Sequence, residues 1–267
     1  MTIRALACWA AVREQLSEVL SSLSHAEWLE PSACQGWRVR DVVAHLSANA
    51  RSGVDPLPEP ADAPPLPANR ERQHDVFVDR RRGWSVDEVI EEYRVFVPQL
   101  VERVAGLQVE PAASSPFSVA GLGTYPAHAI ANGQLFDYYC HLRHDILSPR
   151  GPVVRSLPEP DHAAVYEAVK WMMLGLPQMQ GSALDDLVPA PITLQLTGPG
   201  ASEWTVVPAD SRRGLTVEER GGGETVVISA AHDFIAWGTK RSDWRPECDV
   251  IGPLALAGPF LDALNIV

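Results

Sequence analysis

Asp137, His141 and His144 stand at i, i+4 and i+7 in the run Gln134-Leu135-Phe136-Asp137-Tyr138-Tyr139-Cys140-His141-Leu142-Arg143-His144-Asp145-Ile146. On a helix of about 3.6 residues per turn these side chains point to one side, and all three are groups that a divalent metal ion accepts. Cys140 and Asp145 flank the stripe and add a thiol and a second carboxylate. One helix does not close a metal site, so a further ligand has to come from elsewhere. The candidate is His45, near the end of Trp37-Arg38-Val39-Arg40-Asp41-Val42-Val43-Ala44-His45-Leu46. Two histidines and a carboxylate leave positions open on a metal, which is the pattern of catalytic rather than structural sites. Each residue also has a plainer reading. His45 fits a core histidine bonded to a carbonyl, Asp137 and His141 an ordinary helix pair, and Cys34 and Cys140 small inert core residues. His144 fits equally a partner behind a ligand or a surface residue, and His25, His74, His128, His162 and His232 fall in no cluster.

Helices have to position these groups. Leu6, Trp9, Val12, Leu16, Val19 and Leu23 form an apolar stripe that predicts a first helix from about Arg4 to Ser22. A second begins near Val39, with Asp41 in its first turn where a carboxylate suits the positive end of the helix dipole. Pro56 to Pro67 is too rich in proline to be helical and reads as an extended, exposed and mobile loop. Asn69 to Arg82 reads as a short charged helix. Ser85-Val86-Asp87-Glu88 has the form of a capping box, opening a helix that Pro98 would kink. Pro111 to Gly123 reads as a loop, and Thr124 with Pro126 as the start of the helix that carries the ligand stripe to Ser148-Pro149. A fifth helix is expected from about Pro160 to Leu174.

Beyond Pro177 the pattern changes to four short β-rich runs, Ile192–Leu196, Trp204–Val207, Leu215–Glu218 and Thr225–Ile228, which read as an antiparallel meander. Gly221-Gly222-Gly223 reads as a hairpin turn. Two helices follow, Ala230 to about Arg241 and Leu254 to Asn265, with a short strand at Val250-Ile251. The expected fold class is therefore α+β in two domains: a helical bundle over 1–180 and an antiparallel sheet with two helices over 190–267, divided between Leu176 and Pro191.

The chain of 267 residues is long enough for two cores. Its 22 basic and 34 acidic residues give a net charge of −12, which disfavours nucleic acid and anionic membrane surfaces as partners, since both require a basic face. Cys8, Cys34, Cys140 and Cys248 are widely spaced, as in reduced thiols of the cytoplasm. The amino terminus turns charged at Arg13 and Glu14 too soon for a signal peptide or membrane span, so a cytoplasmic protein is expected.

The run Cys34-Gln35-Gly36-Trp37-Arg38-Val39-Arg40-Asp41-Val42-Val43-Ala44-His45-Leu46 resembles the W-x-V-x-D-V-x-x-H-L signature of the mycothiol-dependent maleylpyruvate isomerase family of DinB-like four-helix metalloproteins. Asp233-Phe234-Ile235-Ala236-Trp237-Gly238-Thr239-Lys240-Arg241, with the later Leu254 to Leu264 helix, is similar to that family's second domain. The resemblance implies a divalent metal, zinc in most members, held by His45, Asp137 and His141. It also implies mycothiol, the small thiol of actinobacteria, as co-substrate. The thiolate would add to a small electrophile, giving isomerisation if it leaves again or transfer if it stays. This chain departs from the family in having Asp137 where glutamate is usual, and in placing Asp145 four rather than three residues after His141, with His144 between. His144 is accordingly the alternative third ligand. A non-catalytic small-molecule-binding module and a metal-assisted hydrolase are the competing readings, and the sequence leaves the oligomeric state open.

Overall fold

The computed structural model describes residues 2–58, 63–180, 182–208 and 214–266. The chain divides into two compact units: Met1–Gly121 with Tyr125–Leu157, and Leu122–Thr124 with Pro158–Val267.

The first unit is a helical bundle built from α1 (Ile3–Ser21), α2 (His25–Leu29), α3 (Val39–Val54), α4 (Arg70–Asp79), α5 (Val86–Gly106) and α6 (Ile130–Cys140). Helix α3 packs on α5 and α4, and α1 packs on α6. Leu16, Leu46, Leu135 and Leu142 are fully buried between them, each contributing roughly 1.5–3 kcal/mol by leaving water. Local chemistry sets the helix starts as the sequence implies. At α5, the Ser85 hydroxyl accepts from the Glu88 amide while the Glu88 carboxylate accepts from the Ser85 amide. At α3, the Asp41 carboxylate accepts from the Arg38 amide at 2.9 Å and from Arg82 Nη1 at 2.6 Å. Pro98 lies inside α5. Pro56–Pro58 and 63–67 carry no regular structure, while 59–62, the middle of the proline-rich run, lie outside the described residues.

Two local expectations are corrected. The stretch read as a loop and helix start instead forms a two-stranded sheet of β1 (Pro116–Val119) and β2 (Gly123–Pro126); α6 begins after a 3₁₀ turn over Ala127–Ala129. The helix carrying the ligand stripe also changes its winding. From His141 to Ile146 it is a π-helix, with the Leu147 amide bonded to the Leu142 carbonyl five residues back at 3.2 Å. The chain then folds back on itself, and Gly151 comes so near Ile146 that a Cβ there would meet the Ile146 carbonyl at 2.3 Å. Only glycine permits that approach.

The second unit opens with α7 (His162–Met179) and α8 (Ser182–Asp185). A five-stranded sheet of β3 (Ile192–Thr197), β4 (Ser202–Pro208), β5 (Leu215–Glu218), β6 (Thr225–Ala230) and β7 (Asp249–Ile251) follows, with α9 (Ala231–Trp237) before β7 and α10 (Leu254–Ala263) after it. The division at Leu157 and Pro158 therefore precedes the expected one, and α7 belongs with the sheet, packing on α9 and β5. Pro177 does not end α7 but lies inside it. The two-domain α+β class holds, yet the strands are not a simple meander. Their order is β5-β4-β3-β6-β7, antiparallel except where β6 lies parallel to β3. The triple glycine is consequently part of a crossover, not a hairpin turn. The Gly222 and Gly223 amides donate to Thr193 Oγ1 at 3.3 and 2.9 Å as the run passes the start of β3. No helix among the described residues is long and apolar enough to cross a membrane.

Candidate metal centre

Helix α3 presents His45, α6 presents Asp137, and the π-helix that continues α6 presents His141 to a common point. The His45 Nε2 and His141 Nε2 atoms each lie 3.2 Å from Asp137 Oδ1, and the three ligand atoms fall within 4.8 Å of one another. His45 and His141 are buried, whereas 22% of the Asp137 side chain is exposed, so the cluster is reached from the aspartate side. Asn49, one turn after His45 on α3, donates from Nδ2 to Asp137 Oδ2 at 3.4 Å. Trp37 walls the rings, its centroid 5.3 Å from that of His45 and 6.4 Å from that of His141.

The other nitrogen of His141 is fixed as well. Its Nδ1 lies 2.8 Å from Asp145 Oδ2 and 3.9 Å from Cys34 Sγ. Cys34, His141 and Asp145 form a second group of convergent ligand atoms, on the opposite edge of the same imidazole. The Ala33 amide, bonded to the Asp145 carbonyl at 2.9 Å, ties the Cys34 loop to the π-turn.

Electrostatics follow from this crowding. Burial pushes the Asp137 carboxyl up, but the two imidazoles outweigh it and hold the group well below the usual carboxylate range. For His141 burial favours the neutral ring, yet the hydrogen bonds to Asp137 and Asp145, with Cys34 behind them, raise it well above an ordinary histidine. With both ring nitrogens facing carboxylates, His141 is arranged as an imidazolium would be.

His144 and Cys140 join neither group of convergent ligand atoms among the described residues. His144 is buried against Tyr139, with ring centroids 6.0 Å apart, and Cys140 is buried. The π-turn accounts for this, because a turn closing over five residues winds more slowly than an α-turn. A residue three positions on falls behind the face, while Asp145, four on, stays beneath His141.

The sequence places His74 in no cluster and gives Asn49 no role, and the structure brings both to the site. His74 on α4 is buried, with its ring centroid 4.4 Å from that of His45. Burial lowers its pKa well below the ordinary value, and His45 adds to the effect. No periodicity links α4 to α3, so nothing in the string announced that contact. Asn49 was visible in principle, as the i+4 partner of His45 on the same helical face.

Residues 9–146 match the family profile of the mycothiol maleylpyruvate isomerase N-terminal domain. Among solved structures, mycothiol-dependent maleylpyruvate isomerase is 16% identical, and a point mutant of it 15%. Each superposes with a TM-score of 0.57 over 92% of this chain and 91% of that chain, which shows a shared fold. No curated protein sequence matches.

Proposed function

Because the chain belongs to the mycothiol maleylpyruvate isomerase N-terminal domain family, we propose that it is a mycothiol-dependent enzyme in which His45, Asp137 and His141 hold a divalent ion, zinc by donor type. The observation that carries this reading is the convergence of two imidazole nitrogens on one carboxylate oxygen, 3.2 Å from each, with the two rings buried and the aspartate part-exposed. Two nitrogens and one oxygen are the donor set of catalytic zinc sites, which keep coordination positions free. When bound, the cation supplies the positive charge that keeps a thiol ionised near neutral pH.

The chain's own residues do the positioning. The Asp145 carboxylate accepts a hydrogen bond from Nδ1–H of His141, and a ring so held has its Nε2 lone pair toward the centre, as with partners behind metal ligands. Asn49 holds one oxygen of Asp137. Trp37 covers the rings against water. The co-substrate is a low-molecular-weight thiol and the substrate a small electrophile with a double bond conjugated to a carbonyl. Addition of the thiolate sulfur to one alkene carbon leaves a single bond that rotates, and elimination restores the double bond and releases the same thiolate. No oxidant is consumed and no atom is lost. If the sulfur stays attached and the adjacent carbon is protonated instead, the outcome is transfer.

The test is turnover of maleylpyruvate, followed by ultraviolet absorbance, with metal and mycothiol each supplied or withheld. Turnover that needs both, with free thiol recovered in full, is the expected result. Equal turnover without thiol would overturn the thiol reading in favour of metal-assisted hydrolysis. A chain that binds thiol and substrate without turnover would be a binding module.

A further inference from the structure

The two imidazoles that face Asp137 are not held alike. His141 is engaged at both nitrogens, Nε2 lying 3.2 Å from Asp137 Oδ1 and Nδ1 2.8 Å from Asp145 Oδ2. His45 is engaged at one. Its Nε2 lies 3.2 Å from Asp137 Oδ1, but its Nδ1 is buried with no hydrogen-bond partner among the described residues. A neutral imidazole has one N–H and one lone pair, and the partner of one nitrogen decides the state of the other. For His45 to offer its Nε2 lone pair to a cation, its proton must sit on Nδ1, and a buried donor there needs an acceptor.

His74 stands where that acceptor is needed. Helix α4, which packs on α3, brings the His74 ring to 4.4 Å from that of His45, centroid to centroid, with 65° between their planes. The residue is 8% exposed, and its Nε2, like His45 Nδ1, is buried with no hydrogen-bond partner among the described residues. Its Nδ1 faces Glu71 Oε1, one turn back on the same helix, at 3.7 Å. That carboxylate favours the tautomer with the proton on Nδ1 and the lone pair on Nε2. Burial lowers the pKa of His74 well below the ordinary value, so the ring is neutral at neutral pH and has that lone pair to offer. Native folds seldom bury two unpaired polar atoms on neighbouring rings without a use for them.

We propose that His74 is the positioning residue of His45: its Nε2 accepts a hydrogen bond from His45 Nδ1–H, directly or through one bridging water, and so keeps the Nε2 lone pair of His45 toward the centre. The assignment rests on the reading of His45, Asp137 and His141 as metal ligands. It gives His45 what Asp145 gives His141, from a different helix and without adding a negative charge.

The experiment is the zinc affinity of the full chain, measured by competition with a chelator of known affinity, for the unmodified protein and for His74→Ala, His74→Phe and His74→Gln, with circular dichroism to establish folding. Ala and Phe remove the acceptor, Phe while keeping the bulk of a ring, and Gln restores an acceptor oxygen. Affinity should fall about 10–100-fold in His74→Ala and His74→Phe, the range for partners behind metal ligands, and recover most of that loss in His74→Gln. A residue that only fills space gives the reverse order, with Phe close to the unmodified chain and Gln worse. That order overturns the assignment, as does unchanged affinity in His74→Ala or a Gln variant no better than Ala. Should the variants fail to fold, magnetic resonance of the unmodified chain with isotope-labelled histidines decides. Zinc loading should place a proton on His45 Nδ1 and shift the His74 Nε2 resonance. An unmoved resonance overturns the assignment, and so does a direct coupling between bound cadmium and His74 Nε2, which would make His74 a ligand. Zinc bound by the unmodified chain and lost in His45→Ala upholds the metal reading whatever the His74 variants do, whereas no zinc uptake by the unmodified chain ends that reading and this one together.

Discussion

Two faces of α3 bury charge in opposite ways. On one face Ser47 and Arg51, four residues apart, reach Glu92 of α5. On the other His45 and Asn49, also four apart, reach Asp137 of α6. At Glu92 the count closes. One carboxylate oxygen accepts from Ser47 Oγ and Arg81 Nε, the other from Arg51 Nη1 and Arg81 Nη2, at 2.5 to 3.2 Å. Burial pushes this carboxyl up, but the hydrogen bonds from Arg81, Ser47 and Arg51 outweigh it and hold it below the ordinary value. At Asp137 the count stays open. Two imidazole nitrogens crowd one oxygen at 3.2 Å, Asn49 approaches the other at 3.4 Å, and His45 Nδ1 is buried without a partner among the described residues. A cluster that satisfies itself holds the fold, whereas one whose donor atoms converge without sufficing for each other is suited to a cation.

The largest effect should come from breaking the open cluster. His45→Ala should take bound metal from about one ion per chain to near zero by elemental analysis, because it removes the one ligand of the three that lies outside α6 and its π-helical continuation. Circular dichroism should show the helices intact. Stoichiometric metal in this mutant would end the three-ligand reading. Breaking the closed cluster should do the reverse. Glu92→Ala strands Arg81 and should cost about 3–5 kcal/mol of unfolding free energy, the usual penalty for removing one partner of a buried pair. Any folded fraction should still hold metal, as denaturant titration and metal analysis together would show. If Glu92→Ala lost its metal while remaining fully folded, the two clusters would not be separate.

How much of this was legible beforehand depends on the range of the signal. The His45, Asp137 and His141 set was readable because helical spacing and the Trp37 to Leu46 run are both local. His74 was not, since it meets His45 only through the packing of α4 on α3. The strands were found from their β-rich composition, but composition does not say which strand lies beside which, and so β6 was placed next to β5 rather than β3. The change of pattern beyond Pro177 marks where strands begin, not where the unit begins, because α7 packs on α9 and β5 and so belongs with the sheet. The π-turn left only an indirect trace in Gly151, whose significance lies in a backbone approach that no periodicity reports.

The support behind the open cluster should matter less than its ligands. Asp145→Asn leaves His141 in place but weakens its anchor, and metal affinity should fall about 10–100-fold, the range for partners behind metal ligands. Competition with a chelator of known affinity measures it. Smaller again is the effect of pH. The raised pKa of His141 means that the metal-free chain holds a proton there at neutral pH, and an ion must displace it. Metal affinity should therefore rise as pH rises, by up to about tenfold per unit, and level off above the pKa of His141 in the fold. Calorimetry in two buffers of different ionisation heat should show about one proton released per ion. Metal uptake without proton release would mean that His141 is not a ligand.

The smallest effect is expected at the residue that helical spacing alone made a rival. On an α-helix His144 would sit one turn beyond His141 and nearly on its face, in reach of the same ion. The π-turn between them alters that geometry: His144 turns toward Tyr139, and the space beneath His141 goes to Asp145. His144→Ala should accordingly leave metal content unchanged while Asp137→Ala abolishes it, and the loss should appear as stability, about 1 kcal/mol or more for emptying a buried site. The opposite outcome, metal lost with His144 and kept without Asp137, would require the segment to rewind as an α-helix around the ion. Asp145 would then leave His141, and the comparison between the two faces of α3 would have to be redrawn around a site of three histidines.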